Sequence, residues 1–486
     1  MADAAHSTHS GYTAPAMLID GQWTQGSSGK TQAVINPATG ETLADLPHAS
    51  AADLDRALAA TDKGFKAWSQ KTPAARQVIM NKAADLMEER KTHIAQVLTM
   101  EMGKPLPEAK TEISFVIGVT RWCGEEGKRA YGRLIPASVP NTRYAAVREP
   151  VGPACAFTAW NFPGSNVIRK VAHSLGAGCS VIIKPSEETP GTAIEIAKCF
   201  VEAGVPDGTV QMVFGVPDDI SRHLIASPIT KKLSFTGSVP VGKHLAKLAA
   251  DSMMRVTMEL GGHAPVLVSA DADLTKAADM IHAFKYRNAG QVCISPTRFL
   301  VERKVYSDFV DAMTERSKTV NVGNGLEKGV TMGPLIAERQ VERMESLVQD
   351  ARAKGATITT GGERIGNQGS FYAPTVLADT TDEMEMMNEE PFGPVVPISP
   401  VDSLDEMIAR ANRLDVGLAG YAFTTNGHTA ERLSKEVQVG MLGINSTAIS
   451  LPETPFGGID ESGYGHEGGI EGLDAYQRTR LIVEAR

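Results

Sequence analysis

The sequence predicts an α/β fold built from two sheet-and-helix domains and a projecting arm. A chain of 486 residues is too long for one ordinary core and suits about two or three domains. From about Val151 onward, short β-rich runs alternate with helical ones, the pattern of parallel βαβ units. Ahead of that pattern, RAYGRLIPASVPNTRYAAVREP (129–150) places two strand-like arms around a Pro/Asn-rich turn, which reads as a projecting hairpin.

In order along the chain, the NPATG turn (36–40) precedes Ser50, and Asp53 three residues later forms a capping signal for a helix carrying Leu54, Leu58, Phe65 and Trp68. After the hairpin come a strand at 154–159, a helix over 166–176, VIIK (181–184) as a strand, and a helix over 190–203. VQMVF (210–214) and KKLSF (231–235) continue the first α/β region. RVTMEL (255–260), PVLVS (265–269), a helix at 273–288 and RFLVE (298–302) lead into a second. The hairpin strands expose unpaired backbone groups, so a contact with another subunit is expected there.

Composition excludes several classes. With 48 basic and 57 acidic residues the net charge is -9, which offers no overall attraction to nucleic acid or anionic lipid. Five cysteines without a C-x-x-C pair or zinc-like His spacing argue against a disulfide framework and a structural metal. The opening MADAAHSTHSGYTAPAM lacks a basic leader and an apolar core, and no stretch approaches the roughly 18 apolar residues of a spanning helix. The expectation is a disordered N-terminal tail on a cytoplasmic protein.

Five segments carry chemistry. RNAGQVC puts Cys293 after a Gly-containing turn where a helix meets a strand, although a lone cysteine in so apolar a chain is more often a small core residue. MELGG (258–262) sets Glu259 in an apolar strand just before a glycine pair, a costly place for a carboxylate without a task. FTAWNFPGSN ends a strand at Asn161, whose amide suits a developing oxyanion and equally suits a turn or a helix cap. Lys184 closes the strand VIIK at the carboxyl edge where α/β sheets bind ligands, and SFTGS (234–238) presents a helix N-terminus suited to phosphate. No G-x-G-x-x-G follows a predicted strand, since Gly237 and Gly242 are five apart.

Together FTAWNFP, IIKPSEETP, SFTGS, MELGG and RNAGQVC, with NEEPFGPV (388–395) and PFGGIDESGYG (455–465), resemble the aldehyde dehydrogenase superfamily over nearly the whole chain. The resemblance implies a variant Rossmann domain for NAD (1–128 and 149–260), an α/β catalytic domain (261–450), and an oligomerisation arm with a C-terminal segment (129–148 and 451–486) in a homodimer or homotetramer. It implies Cys293 as the nucleophile, Glu259 as the base, Asn161 as the oxyanion donor and Lys184 as a further catalytic and cofactor-binding residue. Trp160, Glu187, Gly237, Ser238, Glu390 and Phe392 would complete the dinucleotide site. A carboxylate at Glu187 repels a 2′-phosphate, so NAD is expected over NADP, which stays open through a rotated Glu187.

For the aldehyde, the resemblance is to succinate-semialdehyde dehydrogenases: Arg169 and Arg287, with Ser450, would hold a distal carboxylate. Pro452-Glu453 departs from that pattern beside PFGG. Ser295 stands where some relatives have a second cysteine, so no disulfide with Cys293 can form there. If the arginines instead pair with acidic neighbours, the substrate is a neutral aliphatic or aromatic aldehyde. A non-catalytic binding protein is the rival from another class, opposed by the joint presence of the four catalytic residues. A CoA-acylating dehydrogenase is opposed by Glu259.

Overall fold

The computed structural model describes residues 11–485. Eight strands form the first sheet, in the order Gln22–Thr24, Met17–Ile19, Val210–Met212, Val181–Lys184, Ala154–Phe157, Lys232–Gly237, Arg255–Leu260 and Gly463–Tyr464. The central strands from Val210 to Arg255 in that order are all parallel. The chain starts at Ala154–Phe157, moves outward through 181 and 210, then crosses back to 232 and 255. Neighbouring connections therefore leave in opposite directions between Ala154–Phe157 and Lys232–Gly237, which opens a crevice at their carboxyl ends.

A second sheet has seven strands, in the order Thr357–Thr360, Thr375–Ala378, Val395–Val401, Pro296–Glu302, Ala264–Val268, Ala419–Phe423 and Met441–Ile444. All its pairings are parallel except the first. Gly261, Gly262 and His263 carry the chain from Arg255–Leu260 in one sheet to Ala264–Val268 in the other. Their brevity sets the end of one sheet beside the start of the next. The first sheet lies in one apolar core, and the second has a separate apolar cluster on each of its faces.

The hairpin forms a third sheet: Arg133–Ile135 pairs with Thr142–Pro150, and the C-terminal strand Gln477–Ala485 pairs along the other side of Thr142–Pro150. This edge leaves Leu134, Leu481 and Val483 exposed within one chain.

Local signals locate most elements. Ser50 caps Ala51–Ser69 in a reciprocal box with Asp53, and Leu54, Leu58 and Trp68 are buried on its inner face. Val181–Lys184, Pro190–Ala203 and Arg255–Leu260 fall on their expected positions. Two helices differ at their ends. The helix expected over 166–176 begins at Pro163, because proline suits the first helical turn, and the one expected over 273–288 stops at Lys285.

The expected disordered tail is corrected in part. Residues 1–10 lie outside the described residues, but Tyr12, Thr13 and Met17 are buried. The Tyr12 hydroxyl donates to Glu101 Oε2 at 2.5 Å and Thr13 Oγ1 donates to Glu195 at 2.8 Å. A buried carboxylate such as Glu101 must find donors, and this segment supplies one of them. No helix among the described residues is long and apolar enough to cross a membrane.

Candidate active site

A cavity of about 620 Å³ opens where the two sheets meet. Its wall includes Cys293, Glu259, Asn161, Trp160, Gly237, Ser238, Glu390, Phe392, Arg169, Arg287 and Ser450. Eleven of the thirteen residues singled out in the sequence thus converge, although they come from segments up to about three hundred residues apart. Lys184 and Glu187 lie outside this lining. They form an ion pair with each other at the end of Val181–Lys184, one strand beyond the strand that leads to Asn161.

The nucleophile candidate sits on an unusual turn. After the helix ends at Lys285, Asn288 and Ala289 both have left-handed backbones, with φ of 53° and 52°, and Gly290 follows at 74°. Only glycine fits the last position. A Cβ on Gly290 would lie 2.1 Å from the carbonyl oxygen of Gly393. That close approach docks the turn against the NEEPFGPV loop and brings Glu390 and Phe392 to Cys293. Glu390 also leans on Gly261, where an added Cβ would stand 2.7 Å from its Oε2. Phe392 packs edge-on against Trp160 at 5.5 Å.

Asn161 is buried, and its side chain is fixed at both ends. Its amide nitrogen donates to the Gln291 carbonyl at 3.2 Å, and its Oδ1 accepts from Asn166 Nδ2 at 3.2 Å. Asn288 Nδ2 reaches both the Asn161 carbonyl, at 2.9 Å, and the Gln291 carbonyl, at 3.0 Å. The amide of Asn161 is thereby held against the turn that carries Cys293. An amide carries two N–H donors, and a second remains for an oxygen in the cavity.

Electrostatics separate the two reactive groups from their ordinary values. Both carboxylate oxygens of Glu259 are buried without a hydrogen-bond partner. Burial chiefly, with the nearby Glu467 carboxylate, raises its pKa well above the carboxylate range, against the pull of Lys170 and Arg169. Burial likewise pushes the Cys293 thiol up to about 12, helped by Glu390 and Glu259 and opposed by Arg169 and Arg287. Burial therefore favours the neutral form of both groups, and Glu259 can accept a proton only once it is ionised.

The arginines do not take the structural alternative. Among the described residues neither Arg169 nor Arg287 has a carboxylate within ion-pair distance. Arg169 is buried and donates from Nη2 to Ser450 Oγ at 2.9 Å, while its Nη1 has no partner. Its guanidinium lies 4.3 Å from the ring centre of Phe456 and 5.1 Å from that of Phe115. Arg287 lies over Phe162 and Phe284, with its Nε unpartnered. Pro452 and Glu453, the departure beside PFGG, do not prevent Ser450 from reaching Arg169.

The remaining lining fits a dinucleotide. Gly237 and Ser238 lie at the crevice between the diverging strands. Ser238 precedes the helix Val239–Ala250 and makes no side-chain cap, so the first N–H groups of that helix are left for an anion. Glu390 receives the Gly262 N–H, and burial raises its pKa to about 8, offset chiefly by Lys285.

Sequence reading missed a buried polar cluster around Glu259. Lys170 donates to Glu467 and, at 2.6 Å, to Thr236 Oγ1, and Ser234 Oγ donates to Glu467 at 3.0 Å. Two consecutive cations, Arg169 and Lys170, between the apolar pairs Val167-Ile168 and Val171-Ala172 were the available signal. Lys104, Glu108 and Glu112 were missed as well, because helix 106–126 carries no motif by itself.

Residues 23–482 match the family described as "Aldehyde dehydrogenase family". The chain is 42% identical over 471 residues to 4-(hydroxymethyl)benzenesulfonate dehydrogenase of Comamonas testosteroni, covering 97% of this chain and 98% of that one. It is 38% identical to the NADP-dependent succinate-semialdehyde dehydrogenase of Escherichia coli, covering 96% of each. The structure of succinate-semialdehyde dehydrogenase from Burkholderia pseudomallei superimposes with a TM-score of 0.96 at 39% identity, over 99% of this chain and 100% of that one. This chain belongs to the aldehyde dehydrogenase family and is a nicotinamide-dependent oxidoreductase acting on an aldehyde.

Proposed function

We propose that the protein oxidises a short aldehyde bearing a distal anion, such as succinate semialdehyde, to its carboxylic acid, with NAD as the favoured acceptor. The observation that carries this reading is the pair of unpaired arginines in the cavity. Arg169 and Arg287, with Ser450, present several N–H and O–H donors; Glu259, Glu467 and Glu108 share the cavity wall, but none forms a direct ion pair with either arginine, so donors are left that a substrate anion satisfies. The similar proteins named above act on compounds whose names include a sulfonate or a succinate group, which supports an anion at that end.

In this reading Cys293 attacks the carbonyl carbon, and its proton passes to Glu259 or to water. The resulting oxyanion is held by the Asn161 amide and the Cys293 N–H. Bound nicotinamide supplies the acceptor for the electron pair leaving the carbonyl C–H bond. Glu259, once it has passed any proton taken from the thiol to solvent, takes a proton from water as that water attacks the thioester carbon, the sulfur leaves, and the acid is released. Lys184 and Glu187 hold the adenosine ribose, Gly237 and Ser238 face the pyrophosphate, and Trp160, Glu390 and Phe392 border the nicotinamide end. NAD is favoured because the Glu187 carboxylate opposes a 2′-phosphate.

A second reading, oxidation of aromatic aldehydes, draws on the rings of Phe115, Phe162, Phe284 and Phe456 in the lining. The exposed apolar edge around Leu481 and Val483 fits a second copy of the chain, in a homodimer or homotetramer. The deciding test is NADH formation from succinate semialdehyde, longer semialdehydes, butanal and benzaldehyde, with and without CoA. CoA-independent NADH with preference for the semialdehydes is expected. Absence of CoA-independent NADH overturns the hydrolytic assignment.

A further inference from the structure

We propose that Lys104, Glu108 and Glu112 are positioning residues that set the Asn161 amide against the Cys293 turn. The proposal rests on the reading of those two groups as oxyanion donor and nucleophile. Asn161 follows a strand of the first sheet and Cys293 precedes a strand of the second, so their relative placement is not fixed by either sheet alone. The helix Leu106–Glu126 belongs to neither sheet and touches both segments.

Glu108 and Glu112 are one helical turn apart and so lie on one face. Glu108 Oε2 accepts the N–H of Asn288 at 2.8 Å, holding a residue whose backbone is left-handed. Asn288 in turn reaches the Asn161 carbonyl. Lys104, fully buried, donates to that same carbonyl at 3.0 Å and to Glu112 Oε2 at 2.6 Å, with its ammonium 3.8 Å above the Phe162 ring. The other oxygen of Glu112 accepts the N–H groups of Gly164, at 2.9 Å, and Ser165, at 3.0 Å. Those are the first free donors of the helix Pro163–Ala177, where Phe162 supplies no side-chain cap, and this helix carries Arg169.

One cation and two carboxylates therefore tie four backbone sites on both sides of the cavity. Losing the tie at Glu108, which stands in the cavity wall, frees the Asn288 turn while leaving Cys293, Glu259 and Asn161 themselves unaltered. Misplacement of about 1 Å at reacting atoms can cost up to about a hundredfold.

Three measurements on Glu108→Ala and Glu108→Gln test this. Amide exchange in the peptide spanning 286–293 should quicken at least about tenfold in the alanine variant. Its kcat for the best aldehyde should fall at least about fivefold, with KM for the aldehyde little changed. Glutamine keeps an acceptor for the Asn288 N–H and should recover most of both losses. Unchanged exchange in 286–293 overturns the proposal, as does quickened exchange with undiminished kcat, or a glutamine variant as impaired as alanine. Absence of aldehyde oxidation in the unaltered protein counts against the proposed function, and the exchange comparison then decides the tie by itself.

Discussion

Replacing Arg169 by Met is the most informative perturbation of the proposed substrate site. Methionine keeps the apolar stem against Phe115 and Phe456 and removes the charge together with the donor to Ser450. A hydrogen bond to a charged group contributes about 1.5–3 kcal/mol, which corresponds to roughly 10- to 150-fold in kcat/KM for an anionic aldehyde. Arg169 has a second effect, since its charge lowers the pKa of both Glu259 and Cys293. That effect reaches every substrate alike. The informative quantity is therefore the ratio of kcat/KM for succinate semialdehyde to that for butanal, read from NADH absorbance with saturating NAD. The ratio should fall at least about tenfold in Arg169→Met, and Arg287→Met should move it in the same direction. Equal losses on both aldehydes would refute the anion-binding role and leave Arg169 acting through Glu259 and Cys293 alone.

The chemical roles admit shorter tests. Cys293→Ala should abolish NADH formation while NADH binding, followed by fluorescence, persists; residual turnover would remove this nucleophile. Glu259→Gln should slow steady-state turnover at least about tenfold. In the unaltered enzyme a base works only when ionised, so turnover should rise with pH through the raised pKa of Glu259, well above the ordinary value of about 4.3. An ascending limb at ordinary carboxylate pH would contradict that burial effect. Gly290→Ala places a Cβ at a backbone φ of 74° and against the Gly393 carbonyl, so the variant should lose at least about 2 kcal/mol of stability in denaturant titration. An unchanged midpoint would show that the turn can move away from the loop.

Much of the site was legible before any fold was known, because its residues stand in local contexts that expose them. Glu259 is a carboxylate in a buried strand, Cys293 follows a turn that requires a glycine, and Asn161 lies between the end of a strand and a proline. Each is anomalous against its neighbours, and the order of these segments along the chain carries the family. The parallel strands were legible for the same reason, since their apolar runs and intervening helices repeat a known period.

What the one-dimensional pattern leaves open is which distant segments meet. Nothing near Arg169 shows that its guanidinium finds Ser450 rather than a carboxylate, because that outcome depends on a loop some 281 positions later. Lys104, Glu108 and Glu112 look like ordinary residues around a helix start until the two sheets place backbone donors and carbonyls around them. Tyr12 looks like part of a polar tail until Glu101 is buried and needs a donor. The ordered motifs, through the family resemblance they carry, thus indicated the class of reaction, and local periodicity located the elements that carry it. Only the packing of two separate sheets across a short glycine linkage decided how those groups are aimed, since hydrogen bonds and unpaired charges depend on distance in space.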